Sequence, residues 1–221
     1  MLQQEGNFAY PAMLNLKGKS CVIVGGGQVA ARKLAALALA GAKVTVLAVD
    51  FCDEVRNLAQ KYGCKLLEGC YEPQILTGAF ITVAATSDDA VNRQITQDAP
   101  MLCNNITSPE LSNFTVPASF SRGDIHIAVA TGGVPAYTRL LKAFLQNKLT
   151  GDFAEFNSFL KDVRQGLKAL PVTPRERTAF WRRALTMDII NLLEAGELSQ
   201  VKEQILNAVN SFRAQSQNGP R

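Results

Sequence analysis

Three adjacent glycines carry the clearest chemistry in this chain. Cys21-Val22-Ile23-Val24 is an apolar, β-rich run that breaks at Gly25-Gly26-Gly27 and leads at once into Gln28-Val29-Ala30-Ala31-Arg32-Lys33-Leu34, a helix-forming segment. A strand that turns at glycines into a helix leaves unpaired N–H groups at the helix N-terminus. Those donors, with the helix dipole, suit a phosphate. In the pattern G-x-G-x-x-A, Gly25 makes the tight turn, Gly27 lets a pyrophosphate approach the backbone, and Ala30 is the small residue where helix packs on strand. Gln28 and Val29 supply the first helical amides. The chemistry implied is dinucleotide binding; a plain packing turn is the competing explanation.

The elements that must hold this turn follow in order. Gly41 falls as the C′ glycine that stops the helix, and Lys43–Val49 reads as a second buried strand, closing a βαβ unit. Ala48 stands near the strand end, where an NAD site usually carries a carboxylate for the ribose; Asp50 lies slightly beyond. No arginine is there to hold a 2′-phosphate, so NAD is favoured over NADP. A helix near Cys52–Tyr62 and strands at Lys65–Glu68, Ala79–Ala85 and Leu102–Asn104 continue the alternation. Between the last two strands, Thr86-Ser87-Asp88-Asp89 is an N-cap cluster opening a helix through Val91–Asp98. Such alternation predicts an α/β fold, a Rossmann-like doubly wound parallel sheet over residues 1–113. Gly25–Gly27, Thr86–Asp89 and Asn104–Ser108 then line one sheet edge, beyond the carboxyl ends of the strands.

Two further regions follow. Over 114–150, Phe114–Phe120 and Ile125–Ala130 are extended runs around Ser121-Arg122-Gly123-Asp124, which predicts an antiparallel ribbon, with a helix over Ala136–Leu149. A ribbon alone is unstable and must lean on something else. Thr131-Gly132-Gly133 before that helix is either another anion-binding turn or a strand-to-helix hinge. Residues 151–221 read as helical. Thr173-Pro174-Arg175-Glu176 is a capping box that opens one helix carrying Phe180, Trp181, Leu185, Ile189, Ile190, Leu192 and Leu193 and ending at Gly196. Val201, Ile205, Leu206, Val209 and Phe212 mark a last amphipathic helix, and Arg213–Arg221 reads as a frayed tail.

Composition narrows the function classes. Of 221 residues, 47% are apolar and 19% charged, the make-up of an ordinary globular protein. No apolar run reaches the ~18 residues of a membrane span, and Met1–Gly6 lacks the basic and apolar regions of a secretory leader. A cytoplasmic protein without membrane partners is expected. Cys21, Cys52, Cys64, Cys70 and Cys103 are scattered without C-x-x-C, so they read as reduced, buried small hydrophobes and not as a metal cluster. His126 sits in an alternating strand and reads as structural. The net charge of +4 is too mild for nucleic acid but suits a polyanionic small molecule.

Several segments together resemble the precorrin-2 dehydrogenase family, the dehydrogenase and ferrochelatase module of sirohaem synthesis. They are Tyr10–Lys19, Val24–Lys33, Gly41–Val46, Ala84-Ala85-Thr86 with Asp88 and Val91-Asn92 (the family's A-T-D-D-x-x-V-N), Phe114–Ala118, Arg122-Gly123-Asp124 and Thr131-Gly132-Gly133. The match is good over residues 10–145 and loose beyond. The resemblance implies a homodimer built through the ribbon (114–150) and helices, and NAD-dependent oxidation of precorrin-2 to sirohydrochlorin; some members also insert ferrous iron. It places the cofactor at Gly25–Val29, Ala48, Thr86 and Asp88, and the polycarboxylate tetrapyrrole near Asn104, Thr131, Gly132 and Gly133. Arg122, Arg139 and Lys142 are candidate carboxylate partners; a solvated surface is the alternative for each.

Two departures stand out. Where the family carries its acid/base aspartate, this chain has Asn104-Asn105-Ile106-Thr107-Ser108-Pro109, with Thr107 and Ser108 in the catalytic place. A hydroxyl is a far weaker base than a carboxylate, and Glu110, Asp88 and Asp124 are possible substitutes. The family's T-G-G-K-S-P-A is shortened to Thr131-Gly132-Gly133-Val134-Pro135-Ala136. Two other readings therefore stay open: a tetrapyrrole-binding relative with weak or no catalysis, and an NAD-sensing regulatory domain. Iron insertion asks more of a base than the oxidation does.

Overall fold

Five strands alternate with helices through the first half of the chain: β1 (Ser20–Val24), β2 (Lys43–Ala48), β3 (Lys65–Glu68), β4 (Ile81–Ala84) and β5 (Leu102–Asn105), with α1 (Gln28–Leu39), α2 (Asp53–Tyr62) and α3 (Asp89–Asp98) between them. This is a computed structural model in which residues 10–217 are described. The chain divides into two units, Met1–Val116 and Pro117–Arg221. Met1–Gly6, read above for a leader, and residues 218–221 lie outside the described residues.

In the first unit all strand pairs are parallel and the order is β3-β2-β1-β4-β5. Parallel strands need helices on both faces, and the central strand β1 is accordingly buried from Cys21 to Val24, as β4 is along its whole length. Cys21 and Ile23 of β1 pack on one face with Ala30, Ala31 and Leu34 of α1 and with Val55 and Ala59 of α2. Val22 and Val24 pack on the other with Leu76 and with Ile95 of α3. α1 ends as expected in a Schellman turn: Gly41 has φ +80°, its N–H reaches Ala38 O, and the Ala42 N–H reaches Leu37 O. The doubly wound sheet expected from the sequence is the fold observed.

Thr82 of β4 is fully buried, and its hydroxyl has no hydrogen-bond partner among the described residues. Such an orphaned group costs about 1–3 kcal/mol. Thr82→Val keeps the β-branched shape and is expected to raise stability by about 1 kcal/mol, read as a higher melting temperature.

The second unit opens with the predicted ribbon, β6 (Ala118–Arg122) and β7 (Ile125–Val129), joined by a two-residue turn at Gly123-Asp124. The ladder begins at Ala118 and not at Phe114. Pro117 has no N–H to give a partner strand, and Phe114 packs instead on the first unit's core. The helices are α4 (Pro135–Lys148), α5 (Gly151–Lys168), α6 (Pro174–Ala184), α7 (Met187–Glu194) and α8 (Leu198–Gln217). Their shared core contains Phe153, Phe156, Phe180, Leu193, Ile205 and Phe212.

Two expectations are corrected here. The single helix from Thr173 to Gly196 is broken: Leu185 and Thr186 are extended, and α7 starts afresh at Met187. Thr186 has the side-chain type that favours an N-cap, with Asp188 in the new first turn, and this local stop–start signal overrides the apolar periodicity. The tail read as frayed is helical through Gln217, anchored by Phe212 in the core. In α8 the buried stripe is Val201, Ile205, Val209 and Phe212, whereas Leu206 is exposed.

The hairpin tip rests on α5. Asp124 accepts a hydrogen bond from the Lys161 ammonium, and the α-hydrogen side of Gly123 faces the Ala154 methyl. Lys161 holds the Asp124 carboxyl below its usual range, and the Thr173 hydroxyl and backbone N–H do the same for Glu176 in the capping box. A depressed carboxyl stabilises the fold above its unfolded pKa of about 4 and loses that contribution as pH falls through the lower folded value. Thermal stability is therefore expected to drop below about pH 4, and Thr173→Ala with Asp124→Asn should flatten that limb of the pH–stability profile.

Candidate functional site

The glycine turn follows β1, the Thr86 loop follows β4, and the Asn104–Ser108 segment spans the end of β5 and the loop after it. These strands are neighbours and parallel, so all three loops emerge at one edge of the sheet. The chain leaves β1 toward β2 on one side and reaches β4 on the other, which makes the β1/β4 crevice the topological switch point where ligands bind.

Each glycine has its own task. Gly25 is buried at φ +128°, donates its N–H to Leu47 O at 2.8 Å, and would drive any Cβ into the Ala85 carbonyl. Gly26 accepts from the Cys52 N–H at 2.9 Å, and a Cβ there would overlap the Asp50 carbonyl and crowd Ala48. Gly27 differs: it is the N-cap of α1, its backbone is extended, and a Cβ would meet nothing within 4 Å. No side chain caps α1 and no acidic residue lies in its first turn, so the amides of Gln28 and Val29 face open space above Gly27. This open cradle fits a pyrophosphate. Asp50 lies past the end of β2, paired with Arg56 at 3.1 Å.

A polar network joins the other two loops. Asn92 of α3 is fully buried. Its Oδ1 accepts from the Thr86 N–H (3.1 Å) and hydroxyl (2.8 Å), and its Nδ2 donates to Thr86 O (3.0 Å) and Thr107 Oγ1 (3.2 Å). Asn105, also buried, accepts at Oδ1 from the N–H groups of Thr107 (3.1 Å) and Ser108 (3.0 Å), and its Nδ2 donates to Asn92 O (3.2 Å). The Thr107 hydroxyl lies between an amide NH2 and an amide oxygen, so it accepts from Asn92 and donates to Asn105 (3.1 Å). Its proton is therefore committed inward. Ser108 is nearly buried, and its hydroxyl has no hydrogen-bond partner among the described residues. Sequence reasoning quoted Asn92 and Asn105 within motifs but gave neither a role. The available signal was Asn92 between Val91 and Ile95, a polar residue on the sheet-facing stripe of its helix.

The carboxylates considered as substitutes are placed differently. Asp88 caps α3, its Oδ1 accepting from Ala90 N (2.8 Å) and Val91 N (3.2 Å). Asp124 belongs to the second unit and pairs with Lys161. Glu110 lies in a short 3-10 turn, Pro109–Leu111, exposed and without a partner among the described residues. Asn104 is mostly buried, its Nδ2 3.5 Å from Phe114 O.

In the second unit, Gly132 and Gly133 have φ +62° and +108°, and the Thr131 hydroxyl donates to Val134 O at the start of α4. Arg139 and Lys142 follow on that helix, with no hydrogen-bond or ion-pair partner among the described residues. Arg122 is not brought to the Thr131–Gly133 turn: its Nε donates to Leu149 O at the far end of α4 (3.2 Å), and a helix of this length spans about 20 Å. His126 is exposed, with Nδ1 2.8 Å from Ser121 Oγ. All five cysteines are free, as expected, but Cys70 is exposed, and Cys52 and Cys64 are half-buried. Burial pushes the Cys21, Cys64 and Cys103 thiols up, so they stay protonated. No described helix is long and apolar enough to cross a membrane.

The parallel sheet, its switch-point crevice and the uncapped glycine turn define a dinucleotide-binding domain of the Rossmann type. A family described as "Putative NAD(P)-binding" matches residues 12–118. The chain is 32% identical to a siroheme synthase of Citrobacter koseri over 89% of its length and 45% of that protein. It is also 32% identical to siroheme synthase 2 of Yersinia enterocolitica, over 93% of this chain and 45% of the relative. It thus spans about half the length of the curated relatives it matches. Among solved structures, SirC, a precorrin-2 dehydrogenase, superposes with a TM-score of 0.73 at 28% identity, covering 89% of this chain and all of the other. Over most of its length the chain is similar to a precorrin-2 dehydrogenase and to about half of each siroheme synthase.

Proposed function

We propose that this chain is an NAD-dependent precorrin-2 dehydrogenase that forms sirohydrochlorin. The observation that carries the reading is the open, uncapped cradle at Gly27, with the Thr86 and Asn104–Ser108 loops beside it on one sheet edge. Bound NAD⁺ supplies a hydride acceptor, so the substrate loses a hydride and one proton and NADH is formed. The amides of Gln28 and Val29 hold the pyrophosphate. Gly25 and Gly26 keep that turn pressed on Ala85 and Asp50, and the Thr86 loop flanks the crevice. The Asp50 carboxylate past the end of β2 suits ribose hydroxyls and so NAD, although the fold also brings the Arg56 guanidinium, absent from the strand end in sequence, to 3.1 Å from it.

In the second unit, Arg139 and Lys142, which have no ion-pair partner among the described residues, are the cations we assign to the substrate's carboxylates, with the Thr131–Gly133 turn before them on the same unit. Arg122 is already engaged by Leu149. In the first unit Asn104 is assigned to the substrate. Thr107 and Ser108 stand where the family's carboxylate falls. With the Thr107 proton held by Asn105, no carboxylate base stands at the family position, and Glu110 is the nearest carboxylate in sequence that would have to take its place. Iron insertion requires two pyrrole protons to be removed and is not included in the proposal. A homodimer is included: two ribbon edges lack strand partners among the described residues, and Val134, Tyr137, Leu140 and Phe144 form an exposed apolar row at the start of and along α4. Five free thiols accord with a reducing, cytoplasmic setting.

The test is anaerobic precorrin-2 with NAD⁺, with and without Fe²⁺, followed by absorbance. NADH formed in step with sirohydrochlorin is expected. Tetrapyrrole binding without NADH would replace this reading with that of a non-catalytic carrier.

A further inference from the structure

The Asn92 amide is tied to Thr86 on one side and Thr107 on the other, and its orientation is fixed. Only an oxygen can accept from the Thr86 N–H, and only an NH2 can donate to Thr86 O. The same reasoning fixes Asn105 through the Thr107 and Ser108 N–H groups. A continuous path therefore runs from Gly25, packed on Ala85, through Thr86 and Asn92 to Thr107 and Asn105. Asn92 is fully buried and uses both amide hydrogens and its oxygen on these partners. Fixing two loops this fully does more than fill space in α3, since each loop emerges at the carboxyl edge.

We propose that Asn92 is a positioning residue: it sets the loop after β5, which faces substrate, against the loop after β4, which flanks the cofactor. The inference rests on the dehydrogenase reading, because it assigns the two loops to the two reactants. It concerns distance and orientation, on which hydride transfer depends steeply: a shift of about 1 Å can cost about 100-fold in rate.

Asn92→Asp tests this with a reversible lesion. At neutral pH the introduced carboxylate still accepts from Thr86 but cannot donate to Thr86 O or Thr107 Oγ1. Protonation restores one donor. Burial raises the introduced group's pKa and the Asp88 carboxylate at the N-cap of α3 adds to this, against the two Thr86 donors that favour the charged form. The expected result at neutral pH is a fall in kcat of about 10- to 100-fold, with a smaller change in KM for precorrin-2. Activity should recover as pH falls toward about 5, a limb that the unsubstituted chain lacks.

Hydrogen exchange supplies a readout independent of turnover. At neutral pH the Thr107 amide of Asn92→Asp should exchange about fivefold faster after correction for intrinsic rate, the factor for one lost hydrogen bond, and slow again on acidification. Thr107→Val, at an exposed position, cuts the same joint from the other side and should speed exchange at the Thr86 amide. Unchanged exchange at both amides overturns the inference, as does a rate loss that shows no acid recovery and tracks only the fraction folded. If the unsubstituted chain does not oxidise precorrin-2, the dehydrogenase reading fails, and with it the assignment to hydride transfer; the exchange data then decide the loop coupling alone.

Discussion

Replacing Gly27 by valine is expected to abolish NAD⁺ binding while leaving the chain folded. Nothing lies within 4 Å of a Cβ at this position, and the backbone is extended, so the added Cβ meets no protein atom. Its cost to folding is the loss of a tolerable N-cap residue, about 1 kcal/mol. It does occupy the space over the first amides of α1, and a pyrophosphate displaced from those donors loses its charge-assisted hydrogen bonds, which we expect to weaken binding by about 100-fold or more. Gly25→Val is the contrast: at φ +128° and against the Ala85 carbonyl it should unfold or distort the sheet edge. Titration of NADH fluorescence and thermal denaturation of both variants separate the outcomes. Unchanged affinity in a folded Gly27→Val protein would refute the cradle.

The second large effect concerns the proton. Thr107→Asp is expected to raise kcat for precorrin-2 oxidation by about 100-fold, the lower end of what a placed general base contributes. The new carboxylate would sit where Asn92 Nδ2 already donates, so one hydrogen bond is ready for it. It gives up donation to Asn105 Oδ1 and meets that oxygen's lone pairs, which we expect to cost about 1 kcal/mol of stability and to turn the carboxylate outward. The exposure of position 107 makes that rotation feasible. If kcat does not rise, or if Glu110→Gln alone removes activity, Glu110 handles the proton and position 107 is a strut.

Much of the fold was legible because its signals are local. Gly41 had to end α1 since only glycine takes its φ without strain, Asp88 had to cap α3, and Thr173 with Glu176 had to cap α6. Where two local signals competed, periodicity misled: the apolar spacing from Phe180 to Leu193 suits one helix, yet the chain restarts at Thr186. The site was legible as three segments on one sheet edge. The roles of Asn92 and Asn105 were not, because their partners lie on other elements and become neighbours through strand order.

By itself, then, the sequence determined the alternation of strand and helix, the glycine turn with its open helix N-terminus, and the hydroxyls in place of the family's carboxylate. Those features depend on backbone sterics and on residues within a turn of one another. Tertiary structure decided that Gly25 and Gly26 serve packing while Gly27 faces open space, that the Thr107 proton is held by Asn105, and that Arg122 lies at the other end of α4 from Thr131–Gly133. Each depends on which distant segments the sheet and ribbon bring side by side, and that juxtaposition is set by the burial of whole faces rather than by any local pattern.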